Sequence, residues 1–410
     1  MTSAATSPVT EYLRLGLAFD RLEEGFVDAY TGDASLRAEV MNAPSPDPAV
    51  LADRARGLRR DLPGDLPAAR AEFIAAHLAA LECSARRFAG EDIGFVDEVR
   101  AYFDVDIALG DEQRYRDAHA AMAVGLEVAG AGDERLTEAY AAYKRADEIP
   151  ADRVDECVRA FSGALRERVR SAFPLPDNEI VEFEVVSDKP WSGFNYYLGG
   201  YRSRVAINTD LTQYMSTLPH LIAHEAYPGH HTEHCRKEEI LVGGGQFEQT
   251  IFLVNTPQCL MAEGLADHAL RAAVGPDWGL WAQEIYADLG LRFDGERAQR
   301  MSTASSGLLG VRQDAALLLH DRHLDADSVA SFLQQWLLAP PERARQMLRF
   351  LTSPLWRAYI STYVEGYRLL DTWLDEVPAS GRLARFGRLL DEPLTPAQLR
   401  AELGPSGAGP

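Results

Sequence analysis

Five of the ten histidines fall between His220 and His234, in the stretch LPHLIAHEAYPGHHTEH. Imidazole is a common metal ligand, and His224-Glu225 follows the apolar run Leu221-Ile222-Ala223. Zinc hydrolases of the HExxH type put two imidazoles, one helical turn apart, on a single Zn²⁺. The Glu beside the first acts as general base toward an activated water. In this chain the fourth residue after His224 is Pro228, and His230 and His231 follow behind Pro228-Gly229, giving HExxPGHH. On an unbroken helix, residues six apart are separated by about 9 Å along the axis. One ion with bonds of about 2.0–2.1 Å does not span that gap. Pro interrupts the backbone ladder and Gly permits unusual dihedrals. A bulge or break over Tyr227–Gly229 is therefore expected to return His230 to the face of His224. His231 stays open as the second ligand or as a nearby substrate-binding group. His220 and His234 also stand at i,i+4 from His224 and His230, but lack the HExxH logic.

The third ligand should come from another helix. Glu263 is the candidate, as the one carboxylate on the inner side of Cys259-Leu260-Met261-Ala262-Glu263-Gly264-Leu265-Ala266-Asp267-His268. HExxH followed by such a Glu is the glutamate-zincin arrangement. Zn²⁺ on His224, His230 and Glu263 keeps a fourth position open, and Glu225 is placed to take a proton from water and pass it to a leaving amine. Arg202, Arg204, Arg312 and Arg349 are available to bind a substrate carboxylate.

HEAYPGHH resembles the signature of the bacterial proteins grouped as domain of unknown function 885, which stand with the metallopeptidases. Further segments resemble that family in the same order. They are Val205-Ala206-Ile207-Asn208-Thr209, Glu263-Gly264-Leu265-Ala266, Asp314 through His320, and Pro354 through Gly366 with Thr362-Tyr363-Val364-Glu365-Gly366. The resemblance spans residues 190–370 and implies a zinc-dependent hydrolase. It makes Tyr363 the donor to the developing oxyanion, and gives His320, with Asp314, a role in contacting substrate or orienting a ligand. The chain departs from the family at Val364, where a Lys is usual, and in its shorter N-terminal half.

The elements that must position these residues are mostly helical. Residues 1–175 read as an N-terminal helical region, with Thr10 to Tyr30 as its first helix. Residues 176–403 form the metal-binding region, and 404–410 a tail. The one convincing β region is 176–210, where Glu179–Ser187 and Arg202–Asn208 alternate on either side of Trp191–Tyr201. It predicts a small antiparallel sheet beside the cleft, with Arg202–Asn208 offering an edge to an extended substrate. The expected fold is thus mainly α, a large zincin-like architecture.

Composition narrows the partners. The 410 residues are 46% apolar and carry a formal charge of −21, so a substantial core is expected. Nucleic acid and anionic membrane are poor partners for that charge. No run of 18 apolar residues predicts a membrane span. The start MTSAATSPVTEYLRLG lacks a basic region followed by an apolar one, and Cys83, Cys157, Cys235 and Cys259 show no CxxC spacing. Both point to a cytoplasmic protein with reduced thiols. The reading that results is a zinc metallopeptidase acting on short or unfolded peptides. A zinc amide hydrolase of a small metabolite and an inactive metal- or substrate-binding protein are the alternatives.

Overall fold

Aspartates open several of the N-terminal helices. Asp33, Asp47 and Asp111 each accept a hydrogen bond from a first-turn N–H, starting the helices Ala34–Asn42, Pro48–Arg60 and Glu112–Gly125. The helix Ala68–Phe88 then buries Phe73, Ile74, Leu78 and Leu81 against its neighbours. The computed structural model describes residues 7–128, 133–187, 193–208 and 212–404. The first six residues, Trp191 and Ser192 of the expected β region, Thr209, and residues 405–410 of the expected tail lie outside the described residues.

The helix Pro257–Val274 runs through the middle of the molecule. Thr256 and Pro257 open it, Gly275 at φ +91° closes it, and every residue from Pro257 to Ala266 is buried. A helix apolar on most sides belongs inside a large core, and this one brings Glu263 there. The buried apolar cluster around it reaches from Tyr12 to Leu399.

Five strands occur among the described residues: β1 (Val27–Tyr30), β2 (Ile180–Val186), β3 (Gly193–Gly199), β4 (Arg202–Asn208) and β5 (Ile251–Leu253). The expected small sheet is present, with order β2-β4-β3. β3 and β4 form its antiparallel hairpin, and β2 joins β4 in parallel. β4 is thus the central strand, hydrogen-bonded on both sides. It has no edge to offer a substrate, which corrects that expectation; β3 and β2 are the edges.

A second, two-stranded sheet pairs β1 with β5. The expected helix Thr10–Tyr30 is really the helix Pro8–Phe19 followed by a turn and β1. The side chain of Asp20 accepts from the N–H groups of Gly25 and Val27, and Gly25 sits at φ +86°. These local bonds compete with the helix and end it. No helix among the described residues is long and apolar enough to cross a membrane.

Candidate metal centre

His224 lies in the last turn of the helix Leu218–Glu225, and His230 opens the next helix, His230–Lys237. The break expected at Tyr227–Gly229 is present. Tyr227-Pro228 is a cis peptide, and the Gly229 N–H donates to Ala223 O at 2.9 Å. Gly229 is packed so closely that a Cβ there would lie 1.9 Å from His224 O and 2.4 Å from Ala223 O. The fold-back sets His230 Nε2 3.2 Å from His224 Nε2.

Glu263 completes the group from the central helix. Its Oε2 lies 3.3 Å from His224 Nε2 and 4.0 Å from His230 Nε2. Ligand atoms at tetrahedral angles around one ion with bonds of about 2.0–2.1 Å are about 3.3 Å apart, so the spacing fits a single small cation. Glu263 Oε2 is also buried without a hydrogen bond, a costly state that an ion would relieve. His224, His230 and Glu263 therefore form a set able to hold a metal.

Three further contacts orient these atoms. His224 Nδ1 donates to Asp267 Oδ1 at 3.1 Å, and the hydroxyl of Tyr359 donates to Glu263 Oε1 at 2.6 Å. Glu233 Oε2 lies 3.8 Å from His230 Nδ1. Carboxylates behind ligating imidazoles fix ring orientation and raise basicity. Sequence reasoning missed Asp267 and Tyr359. Asp267 stands four residues after Glu263 on one helix face, and Tyr359 four before Tyr363, so spacing was the available signal.

Glu225 is buried, and Gly193 of β3 is packed against it: a Cβ there would come within 3.2 Å of Glu225 Oε1. Asn195 of β3 donates to the Glu225 carbonyl at 2.7 Å, pinning the helix end to the sheet. Burial raises the Glu225 carboxyl above its ordinary pKa, while His224 and His230 pull it back. Burial also works against the charged form of His224, but Asp267 and Glu263 overcome it and hold that imidazole's pKa well above 6.5. Burial tends to raise the Glu263 carboxyl, and its neighbouring imidazoles take it lower instead.

Tyr363 is half-buried in the π-turn Thr362–Gly366, against Tyr359. Burial, and then the charges of Glu263 and Asp267, keep its phenol neutral and able to donate. Its helix meets the central one through two glycines. A Cβ on Gly264 would lie 2.6 Å from Gly366 O, and one on Gly366 2.5 Å from Leu260 O. The family-like EGLA and TYVEG segments are thus the two halves of one backbone contact. Val364 is buried in this contact, so no cation reaches the cleft from that position.

The remaining predicted residues fall into place individually. Arg312 is exposed, with no ion pair among the described residues. His231 turns away from the centre: it is fully buried, with Nε2 2.9 Å from Glu179 and Nδ1 2.8 Å from Ser203 Oγ. A side chain with no exposure does not touch substrate, so the substrate-binding expectation for His231 is corrected to a packing one. Arg202 and Arg204 lie on the solvent face of β4, each 3.3 Å from a glutamate of β2. Such pairs are ordinary surface contacts. His320 Nε2 lies 2.7 Å from Leu351 O with its ring against Phe95, and Asp314 accepts from Gly110 N and Tyr115. The structure gives both residues structural partners outside the ligand group. His220 packs on Trp278, and His234 stacks on Tyr197.

No protein-family model matches the chain, and no curated protein matches it in sequence. The likeness to domain of unknown function 885 rests on the motif residues themselves. Among solved structures, a "putative lipoprotein" from Colwellia psychrerythraea is similar over 87% of this chain, with 15% identity and a TM-score of 0.52. The chain spans 66% of that protein's length. A "putative lipoprotein of unknown function" from Shewanella oneidensis matches over 97% of this chain and 82% of its own, with 14% identity and a TM-score of 0.47. The M32 carboxypeptidase from Deinococcus radiodurans R1 matches over 96% of this chain and 93% of its own, with 13% identity and a TM-score of 0.40. At 15% identity the likeness to the Colwellia protein is one of fold alone.

Proposed function

We propose that this protein is a zinc-dependent hydrolase that cleaves peptide bonds in short or unfolded peptides. The observation that carries the reading is the meeting of His224, His230 and Glu263 at ligand spacing, with Glu225 directly beside the first ligand. His224 and His230 would hold the ion through Nε2 and Glu263 through Oε2. When bound, zinc supplies Lewis acidity, polarising a carbonyl and lowering the pKa of water. Glu225 takes the proton from the attacking water and delivers it to the leaving amine; its raised pKa suits both transfers. Tyr363 donates to the carbonyl oxygen as negative charge develops there. β3 is the sheet edge next to Glu225 and takes over from β4 as the strand against which an extended peptide is laid.

The test is a digest of mixed synthetic peptides by zinc-loaded protein, with metal-stripped protein alongside, read by mass spectrometry. New termini only in the loaded sample are expected. An unchanged peptide pool in both samples would reject the reading and leave the metal-binding or small-amide alternatives.

A further inference from the structure

One carboxylate holds both ends of the break between the helices Leu218–Glu225 and His230–Lys237. Glu179 immediately precedes β2 and is buried. Its Oε2 accepts from the Tyr227 hydroxyl at 2.8 Å and from His231 Nε2 at 2.9 Å. Tyr227 opens the Tyr227–Gly229 break, and His231 lies one residue beyond His230. Their rings also meet edge to face, with centroids 5.3 Å apart. The other oxygen of Glu179 accepts from Nε of Arg166, on the helix Val154–Val169. Burial works against the charged form of Glu179, but the hydrogen bonds from His231, Arg166 and Tyr227 take its carboxyl down to about 2. Near neutral pH it is therefore an ionised group that only accepts.

The neighbouring strands add a bond each. His231 gives its Nε2 hydrogen to Glu179, so Nδ1 is the acceptor and takes the hydroxyl of Ser203, in β4, at 2.8 Å. Asn195 of β3 holds the carbonyl of Glu225. The sheet thus grips the chain at Glu225, Tyr227 and His231, on either side of His230. Glu179, Tyr227, His231, Ser203 and Asn195 are all buried, where a polar group left without its partner is costly. The break needs such a hold. Ala226 at φ −123°, ψ −83° and Gly229 at φ −77°, ψ −137° lie outside helical dihedrals, so the helical ladder alone does not fix the position of His230.

We infer that Glu179 is a positioning residue for the metal centre: by clasping Tyr227 and His231 together, it sets the fold-back that carries His230 to His224. It acts through these two partners rather than on the ligand atoms. The inference rests on the metal centre of the reading above and not on its substrate. A carboxylate suits the task, because one oxygen can accept two donors while the other is held by an arginine. Glutamine does not suit it. Its single NH₂ would have to face either Arg166 or the Tyr227–His231 pair, and all three are donors.

The test measures zinc affinity by chelator competition, and the visible spectrum of the cobalt(II)-substituted protein, which follows coordination geometry. The samples are wild type, His230→Ala, Glu179→Gln, Tyr227→Phe and Leu333→Ala, with urea denaturation of each. Leu333 is fully buried in the helix Ala326–Leu337, whose main neighbours are the helices Val311–His320 and Pro341–Thr352. Its truncation lowers stability away from the fold-back. Glu179→Gln should weaken zinc binding at least about tenfold, the scale of one hydrogen bond to a charged group, and shift the cobalt spectrum toward that of His230→Ala. Tyr227→Phe should move both in the same direction by less. Leu333→Ala should lose stability yet keep the wild-type affinity and spectrum. Wild-type affinity and spectrum in either Glu179→Gln or Tyr227→Phe overturn the inference. So does an equal loss of zinc in Leu333→Ala, which would make the effect one of general stability. A wild type that takes up neither zinc nor cobalt overturns the metal centre itself, and the clasp with it.

Discussion

His224 is held at both ring nitrogens, by Asp267 at Nδ1 and by the ligand group at Nε2. Asp267 is not one of the three grouped residues, so on the proposed reading Asp267→Asn should keep the fold and weaken zinc binding about 10- to 100-fold. A competition titration against a chelator measures this, and unchanged affinity would show that Asp267 does not orient His224. The same contact sets a pH dependence. Zinc needs the neutral imidazole, so a proton competes with it. Because the pKa of His224 is raised, that competition begins above the ordinary value of 6.5, and zinc affinity should fall as pH drops through the neutral range. Affinity that stays flat from about pH 6 to 8 would contradict it. The three grouped residues were legible in the sequence because each stands in a local pattern: His-Glu after an apolar run, His behind Pro-Gly, Glu before Gly. Asp267 and Tyr359 were not singled out, because their roles arise between helices and their own neighbours do not mark them. His231 shows the converse. Beside His230 it reads as a ligand, but one step along a helix turns it by about 100°, and there it bonds Glu179 and Ser203.

The break between two short helices brings His230 back beside His224. Gly229 permits it, because any Cβ there would collide with the backbone carbonyls of Ala223 and His224 rather than with movable side chains. Gly229→Ala should abolish stoichiometric zinc binding, read by elemental analysis of the purified variant. A folded variant that retains full zinc would show that the close approach does not position His230. This element was legible, since Pro-Gly inside a helical pattern has few structural outcomes. The strands were harder. The alternation in Arg202–Asn208 identifies a strand but does not say what lies on either side. β2 arrives in parallel from a segment before β3 and makes β4 central. β1 was hidden in a helical periodicity, because Asp20 and Gly25 act through single hydrogen bonds and one dihedral.

At the scale of the molecule, the mainly helical fold with its small sheet followed from periodicity, but its closure around the site did not. The N-terminal helices are tied to the C-terminal half by contacts distant in sequence. Arg70 pairs with Glu248 through two bonds of 2.6 and 2.7 Å, Arg357 reaches Glu98, and Asp314 holds Gly110 and Tyr115. Nothing local marks such partners. Glu248 is wholly buried, so Arg70→Ala should strand its charge and cost about 3 kcal/mol in urea denaturation; a loss under about 0.5 kcal/mol, as for a surface pair, would contradict that. They accompany the pairing of β1, from the N-terminal part, with β5, which leads into the helix of Glu263. The claim on which everything else depends is that the centre of His224, His230 and Glu263 holds a hydrolytic metal and that Glu225 is its base. The most direct measurement is peptide turnover by zinc-loaded Glu225→Gln against zinc-loaded wild type, with zinc content determined on the same samples. The account predicts equal zinc, about one ion per chain, and turnover reduced by at least about 10². Equal turnover at equal zinc would contradict it.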